Sequence, residues 1–324
     1  MLYSGKDLRK LIIPLIIEQI LAIAVGMADT IMVSAAGEAA VSGVSLVDTV
    51  NILLINVFSA LATGGAVVSG HFLGKKKRED ACKSAWQILL FATLLAFVIS
   101  VIFITAHDPL LRLMFGKIED DVMKASKTYL IITTYSFVAL AIYNSCAALF
   151  RAMNESKVTM WVSLLMNVIN VVGNAICIYG LHMGVAGVAI PTTISRYVAA
   201  VVIFLLMFQT KKEINLCGQI TWKFNGSLIK KILYIAIPNG LENSMFQLGK
   251  ILVMSAVATM GTSAIAANAV TGTIANWNNL PGFAINLAIV SVVSVCVGAG
   301  RYDQARYYTC LLYTSPSPRD GATS

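Results

Sequence analysis

The sequence predicts an all-α polytopic membrane protein, because it is rich in apolar residues, its apolar runs are long, and its charges fall between those runs. Of 324 residues, 57% are hydrophobic and only 12% are charged, whereas soluble globular proteins average about 25% charged residues. A run of about 20 apolar residues is long enough to cross a bilayer as a helix. The first run is too long for a cleavable signal peptide and lacks a small-residue cleavage site.

Eight transmembrane helices are predicted, and basic residues orient them. The expected ranges are 9–34, 46–73, 85–106, 127–150, 158–180, 185–209, 231–258 and 265–297. Seventeen Lys and Arg residues flank the side that holds the amino terminus, against four on the other side. Because basic residues collect in cytoplasmic loops, we expect a multi-pass protein of the inner (cytoplasmic) membrane with a cytoplasmic amino terminus. The same bias explains the net charge of +8, so no nucleic-acid partner is expected.

An internal repeat divides the chain. Its paired residues share a constant spacing of 224: Pro14 with Pro238, Glu18 with Glu242, Gly37 with Gly261, and Gly74 with Gly298. Transporters are commonly built from such repeats. The repeat predicts an amino-terminal six-helix lobe at 1–209, a cytoplasmic linker at 210–227, and the start of a carboxyl-terminal lobe, two helices long, at 228–309. We expect residues 310–324 to be an artefact, because 310–320, CLLYTSPSPRD, resembles the translation of a transposase sequencing adapter.

Four motifs resemble the multidrug and toxic compound extrusion (MATE) family over about residues 5–309. They are MADTIMVSAAGEAAVSGVS, LATGGAVVSGHFLGKKKREDA, NVINVVGNAICIYGLHMGVAGVAIPTTIS and PNGLENSMFQLGKILVMSAVATMGTSAIAANAV. The resemblance implies a transporter, not an enzyme, that is monomeric when full length and has two six-helix lobes facing a central cleft. It also implies H+ or Na+ entry that drives efflux of amphipathic organic cations, with no cofactor. This chain would be a fragment with one complete lobe.

Asp29 is the first candidate for cation binding. An acid inside a membrane helix is costly and is therefore a functional hypothesis by default, although Asp29 could also be solvated at the outer membrane boundary. Asn170 and Asn174 share a helix face at i, i+4, and their amide oxygens plus Asp29 could form an oxygen site for Na+. The resemblance places both on the polar pair of the family's fifth helix, where some members have aspartate at the second position, and matches Thr192 to a threonine of the same cluster. Hydrogen bonding between helices is the alternative. No other metal site is expected, because the cysteines are scattered.

Further polar residues are candidates for coupling or for lining the cleft. Pro14 favours a helix bend that could respond to protonation of Asp29, or it is a tolerated proline near the first turn. Gln247 stands where some sodium-coupled relatives have glutamate. Trp277 belongs to a polar run that, with Pro281, is expected to interrupt helix eight. The complete set is Glu18, Glu242, Gln247, Lys250, Asn276 and Trp277; the alternative for each is a contact that only joins helices.

Three alternatives compete with efflux. A lipid-linked oligosaccharide flippase of the same superfamily should have a more cationic cavity, which Lys250 and Arg196 would suit. A membrane-embedded enzyme would need a nucleophile, a metal cluster or paired acids at one depth, and no such set is found. An eight-helix product could also be inactive, because one lobe would be incomplete.

The tail hypothesis predicts the genomic sequence. We expect the reading frame beyond Thr309 to differ from residues 310–324 and to encode about four more apolar helices. Resequencing this locus from genomic DNA is the measurement. A genomic frame that encodes residues 310–324 and then stops would contradict the hypothesis.

Overall fold

The computed structural model describes residues 2–115, 119–218, 221–258 and 262–313. The described residues are helical and contain no strand. The helices are α1 Gly5–Ser34, α2 Glu38–Gly74, α3 Arg78–Thr105, α4 His107–Phe115, α5 Asp120–Thr134, α6 Phe137–Ala152, α7 Ser156–Ala175, α8 Ala186–Leu206, α9 Gly226–Ala258, α10 Thr262–Gly298 and α11 Tyr302–Tyr313. A π-helical turn, Ile176–Gly180, extends α7. The predicted all-α membrane fold is confirmed.

Six described helices, α1, α2, α3, α7 with its π-helical turn, α8 and the 277–298 part of α10, are long and apolar enough to span a bilayer, or seven when the bent pair α5 and α6 counts as one. The seventh predicted span, 231–258, coincides with α9, which is 33 residues long but carries several polar residues. The start of α1 is set by a capping box, in which the Ser4 hydroxyl accepts from the Asp7 backbone N–H and the Asp7 carboxylate accepts from the Ser4 N–H. This box satisfies backbone donors that the first helical turn leaves free.

The predicted helix 127–150 is wrong as one element, because α5 and α6 meet at a 50° bend. Hydroxyl groups compete for the backbone acceptors there: Thr134 donates to the carbonyl of Leu130 and Ser136 donates to that of Thr133. Side-chain bonds of this kind offer the backbone an alternative to the regular helix. From α8, the Tyr197 hydroxyl donates to the Tyr135 carbonyl at the bend.

The expected interruption of helix eight is also wrong. Helix α10 runs without a break from Thr262 to Gly298 and passes through Pro281. Leu280 and Ala284 on either side of the proline are buried, so packing holds the helix on both sides of the missing backbone donor. Proline inside a transmembrane helix is tolerated where neighbouring structure supports it.

Helix boundaries confirm the internal repeat. Helix α2 begins at Glu38 and ends at Gly74, and α10 begins at Thr262 and ends at Gly298, which are the same positions displaced by 224 residues. Helices α3 and α11 begin at Arg78 and Tyr302, with the same displacement. The repeat is therefore structural as well as sequential.

The two repeats meet where α2 crosses α10. A Cβ added at Gly74 would lie 2.6 Å from the backbone nitrogen of Ala299, and one added at Gly298 would lie 2.6 Å from the Cα of His71. Both glycines therefore face backbone, which has no room to yield, and their lack of a side chain lets the helices touch. These glycines are repeat equivalents, so the crossing lies close to the axis that relates the repeats.

Replacing Gly74 with Ala should destabilise this crossing. Overpacking typically costs about 1–3 kcal/mol, and we expect about 2 kcal/mol because the added methyl meets backbone. Unfolding by SDS in mixed micelles, followed by tryptophan fluorescence, measures the change. Gly26→Ala is the matched control, because nothing lies within 4 Å of a Cβ built there. Equal stability of the two variants would contradict the close crossing.

Candidate functional site

A chain of polar side chains joins α1, α7 and α8. The Asn174 Nδ2 donates to Asp29 Oδ1 at 2.7 Å and also lies 3.3 Å from Asn170 Oδ1. The Asn170 Nδ2 donates in turn to the Thr192 hydroxyl at 2.9 Å. The structure thus brings together the four residues that the sequence assigned to cation binding. Cation binding itself stays a prediction.

Helix packing explains why these residues meet. Helix α1 packs against α7, and α7 packs against α8. A Cβ at Gly173 would lie 2.6 Å from the Cβ of Pro191, so the bare glycine permits the close approach of α7 and α8. Asn170, Asn174 and Thr192 are buried at this contact, and Asn174 is 0% exposed. Buried amides in an apolar helix pair need polar partners, and Asp29 supplies one.

One buried acceptor of the cluster has no hydrogen-bond partner. The Oδ1 atom of Asn174 makes no hydrogen bond among the described residues, although its Nδ2 makes two. An unpaired buried acceptor costs about 1–3 kcal/mol. A cation or a water held between this oxygen and the Asp29 carboxylate would remove that cost, so the donor set fits a proton or a hard cation such as Na+.

Apolar side chains pack beside the cluster, in which Asp29 itself is half-buried. Ala28 and Ala175, the neighbours of Asp29 and Asn174, pack on a buried core that includes Val47, Val188 and Tyr129. Apolar surroundings make a charge expensive. No group of three or more His, Cys, Asp or Glu side chains is placed to hold a metal in the described parts of the chain, so the ligands on offer are one carboxylate with amide and hydroxyl oxygens.

A second polar cluster lies beside the first, and its acid, Asp48, was missed by the sequence analysis. Asp48 on α2 accepts from the Tyr129 hydroxyl at 3.1 Å and from Asn51 Nδ2 at 3.3 Å. Arg196 on α8 donates to the Ser136 hydroxyl at 2.8 Å, at the bend between α5 and α6. Val47, the neighbour of Asp48, packs in the same apolar core as Ala28, the neighbour of Asp29. The signal was present in the sequence, since Asp48 is an acid inside a predicted span.

The family model described as MatE matches residues 14–176 and 238–312. Together these segments cover more than half of the chain, and they begin 224 residues apart, which is the spacing of the repeat. The chain belongs to the MatE family. Members of this family are membrane transporters and not enzymes, so this MatE chain is part of a multi-pass membrane transporter.

Relatives of this MatE chain have transporter names. It is 28% identical to "Uncharacterized transporter YisQ" of Bacillus subtilis, over 92% of the chain and 66% of that protein. It is 25% identical to "Probable multidrug resistance protein NorM" of Thermotoga maritima, over 91% of the chain and 64% of that protein. The chain thus spans about two thirds of the length of the curated relatives it matches.

Solved structures show the same fold. A multidrug resistance MATE family transporter of the MOP superfamily, in an outward-facing conformation, matches with a TM-score of 0.87 at 21% identity, over 95% of the chain and 68% of that structure. A MOP superfamily transporter from Pyrococcus furiosus, described as having a reverse polarity of its binding pocket, matches with the same TM-score, identity and coverage.

Glu18 has partners inside the first lobe of this MatE chain. Its Oε1 lies 3.4 Å from Arg151 Nη1 at the end of α6, and its Oε2 accepts from the Thr159 hydroxyl of α7 at 3.0 Å. Glu18 and Arg151 are both largely buried. Pro14, one turn earlier on α1, is buried too. The pair joins α1 to both helices beside the 153–155 turn, and whether it also takes part in coupling stays a prediction.

The remaining predicted residues lie on the second repeat. Glu242 is exposed and Gln247 is half-buried, and Trp277 is 42% exposed. The side chains of Lys250 and Asn276 lie outside the described part of the chain. Among the described residues, Glu242, Gln247 and Trp277 make no hydrogen bond to the Asp29 cluster. Their role in the cleft therefore stays a prediction.

Removing Arg151 tests the buried ion pair. Arg151→Met leaves the Glu18 carboxylate without its cation in an apolar setting, and we expect a loss of about 3 kcal/mol in unfolding free energy. The double variant Glu18→Gln with Arg151→Met should recover most of that loss. Unfolding in SDS mixed micelles is the measurement.

The control is Lys83→Met, which breaks the exposed Glu79–Lys83 pair and should change little because exposed pairs are screened by water. An Arg151→Met variant as stable as this control would show that the Glu18 contact contributes nothing to the fold.

Proposed function

We propose that the protein containing this chain is a cation-coupled multidrug efflux antiporter. H+ or Na+ enters the pocket of Asp29, Asn170, Asn174 and Thr192, and amphipathic organic cations leave by alternating access through a cleft between two lobes. The protein lies in the inner membrane with its amino terminus in the cytoplasm, acts as a monomer and needs no cofactor. Family membership and the names of the NorM relatives support this proposal.

The observation that carries the proposal is the contact between Asp29 and Asn174. It joins a carboxylate on α1 to an amide on α7 at 2.7 Å, in a part of the lobe lined by apolar residues. Only neutral donors touch this carboxylate among the described residues. A half-buried carboxylate in an apolar setting, with no cation in contact, favours uptake of a proton or Na+.

Cation binding would change how α1 is held. With Asp29 ionised, its carboxylate accepts the Asn174 hydrogen bond, whereas a proton or Na+ on the carboxylate offers Asn174 Oδ1 a partner that it now lacks. The contact between α1 and α7 therefore differs between the two states. A ligand shifts a conformational equilibrium only through such a difference. Pro14 gives α1 a position at which it can bend in response.

The flippase alternative receives no specific support. It relied on two cations that would make the cleft basic, but Arg196 donates to Ser136 within the first lobe. The side chain of the other cation, Lys250, lies outside the described residues. The efflux proposal is therefore preferred.

Asp29→Asn should abolish coupled efflux in the full-length protein. The amide keeps the size and one acceptor oxygen of the carboxylate, but it has no negative charge with which to bind H+ or Na+. We expect at least a tenfold loss of organic-cation efflux, measured with ethidium in everted vesicles that carry a pH or a sodium gradient.

The matched control is Asp121→Asn, which changes an exposed acid in the first turn of α5 and should leave efflux unchanged. Full activity of Asp29→Asn at normal abundance in the membrane would refute the proposed mechanism. Efflux driven by the pH gradient alone identifies H+ as the coupling ion, and efflux driven by the sodium gradient alone identifies Na+.

A further inference from the structure

A basic cavity lies between α2 and α9, and it includes none of the candidate cation-site residues. Its volume is about 560 Å³, within the range of about 300–1,000 Å³ that is typical of small-ligand sites. Its polar lining comes from His71, Lys75, Ser227, Lys230 and Lys231, and its described lining contains no acid. The cavity therefore concentrates positive charge that the proposed transport mechanism does not use.

Close helix packing bounds the cavity on one side. A Cβ added at Gly64 would lie 2.6 Å from the carbonyl oxygen of Ile232, so α2 and α9 are in contact there. Further along α2, Val68 and Phe72 line the cavity, together with Ile235 of α9. Apolar side chains therefore line the part of the cavity near the helix contact, and the lysines stand where α2 ends and α9 begins.

The three lysines of the cavity have no acidic partner. Lys75, Lys230 and Lys231 form no ion pair within the described parts of the chain. Like charges that line one cavity repel each other. Lys230 and Lys231 also lie in the first two turns of α9, where the helix dipole favours an anion over a cation. A bound anion would offset both effects.

The basic character belongs to this cavity and not to the repeat. Three of its basic residues have apolar or acidic equivalents 224 positions away: His71 corresponds to Val295, Lys75 to Ala299 and Lys231 to Asp7. A general excess of basic residues on the cytoplasmic side gives no reason for the two copies to differ at these positions. The difference indicates a local role for the charge.

Exposed aromatic residues indicate that the cavity lies at a membrane boundary. Trp222, shortly before α9, is 82% exposed, and Tyr234, which lines the cavity, is 83% exposed. Tryptophan and tyrosine are enriched at membrane–water interfaces, where one part of the ring is apolar and the other is wet. With the amino terminus in the cytoplasm, as proposed above, this boundary faces the leaflet whose surface is negatively charged by anionic lipids.

We propose that this cavity binds the anionic headgroup of a phospholipid of the cytoplasmic leaflet. Lys75, Lys230 and Lys231 neutralise the phosphate, and Val68 and Phe72 contact the start of the acyl chains. Basic pockets between transmembrane helices on the cytoplasmic side are suited to acidic headgroups. The cavity is lined by one helix of each repeat, so a bound lipid joins the two repeats at this end.

Native mass spectrometry of the full-length protein in detergent tests the proposal. Dioleoylphosphatidylglycerol is compared with dioleoylphosphatidylcholine, which has the same acyl chains but no net charge. We expect the anionic lipid to stay bound and the zwitterionic lipid to dissociate. Each lysine near an anionic lipid surface contributes about fivefold to affinity, so the double variant Lys75→Gln with Lys231→Gln should bind the anionic lipid about 25-fold more weakly.

Two further variants separate this site from the general positive charge. Lys6→Gln with Lys77→Gln removes the same charge from exposed positions outside the cavity and should leave lipid binding unchanged. Lys75→Arg with Lys231→Arg keeps the charge and should keep the bound lipid.

Three outcomes would overturn the inference. They are equal weakening in the Lys6 and Lys77 control, equal binding of the two lipids, and displacement of the anionic lipid by millimolar inorganic phosphate, which would indicate a site for free phosphate. Lipid binding is measured without transport, so its failure would leave the proposed efflux function standing.

Discussion

The packing of α1, α2 and α5 to α8 depends on one constraint, which is that a polar group on a membrane helix must find its partner inside the protein. Four such contacts tie these helices together: Asp29 with Asn174, Glu18 with Arg151 and Thr159, Asp48 with Tyr129 and Asn51, and Arg196 with Ser136. Apolar packing alone would let helices rotate or slide, because lipid tails satisfy an apolar face as well as a neighbouring helix does. These contacts set which faces meet, and they place the candidate cation site where α1, α7 and α8 join.

The repeat supplies the second organising element. Helices α2 and α10 occupy equivalent positions, and they touch through Gly74 and Gly298, which are themselves equivalent. Equivalent residues that contact each other must lie near the axis relating the repeats. At this crossing the two repeats therefore approach with helix backbone against helix backbone, while apolar side chains of α1 and α10 pack together in a core that includes Leu11, Leu15 and Ala288.

Most of the fold could be predicted from the sequence, and the reasons for the exceptions are local. Long apolar runs and the distribution of basic residues were sufficient to predict where the helices lie. The i, i+4 spacing was sufficient to predict that Asn170 and Asn174 share one helix face of the site. The bend between α5 and α6 was missed because it depends on Thr and Ser hydroxyls binding backbone carbonyls, which hydropathy does not register. Asp48 was missed although it is an acid inside a predicted span, because its partner Tyr129 is distant in sequence.

The two acids of α1 differ in a way that separates architecture from exchange. Glu18 touches a guanidinium, so its charge is balanced and a mobile cation would have to displace Arg151. Asp29 touches only an amide among the described residues, and the Arg196 guanidinium of α8 donates instead to Ser136. A carboxylate held by neutral donors can gain and lose a cation without breaking an ion pair. On this reasoning Glu18 serves to hold α1 against α6 and α7, and Asp29 is the acid to which we assign the change of charge in the proposed transport cycle.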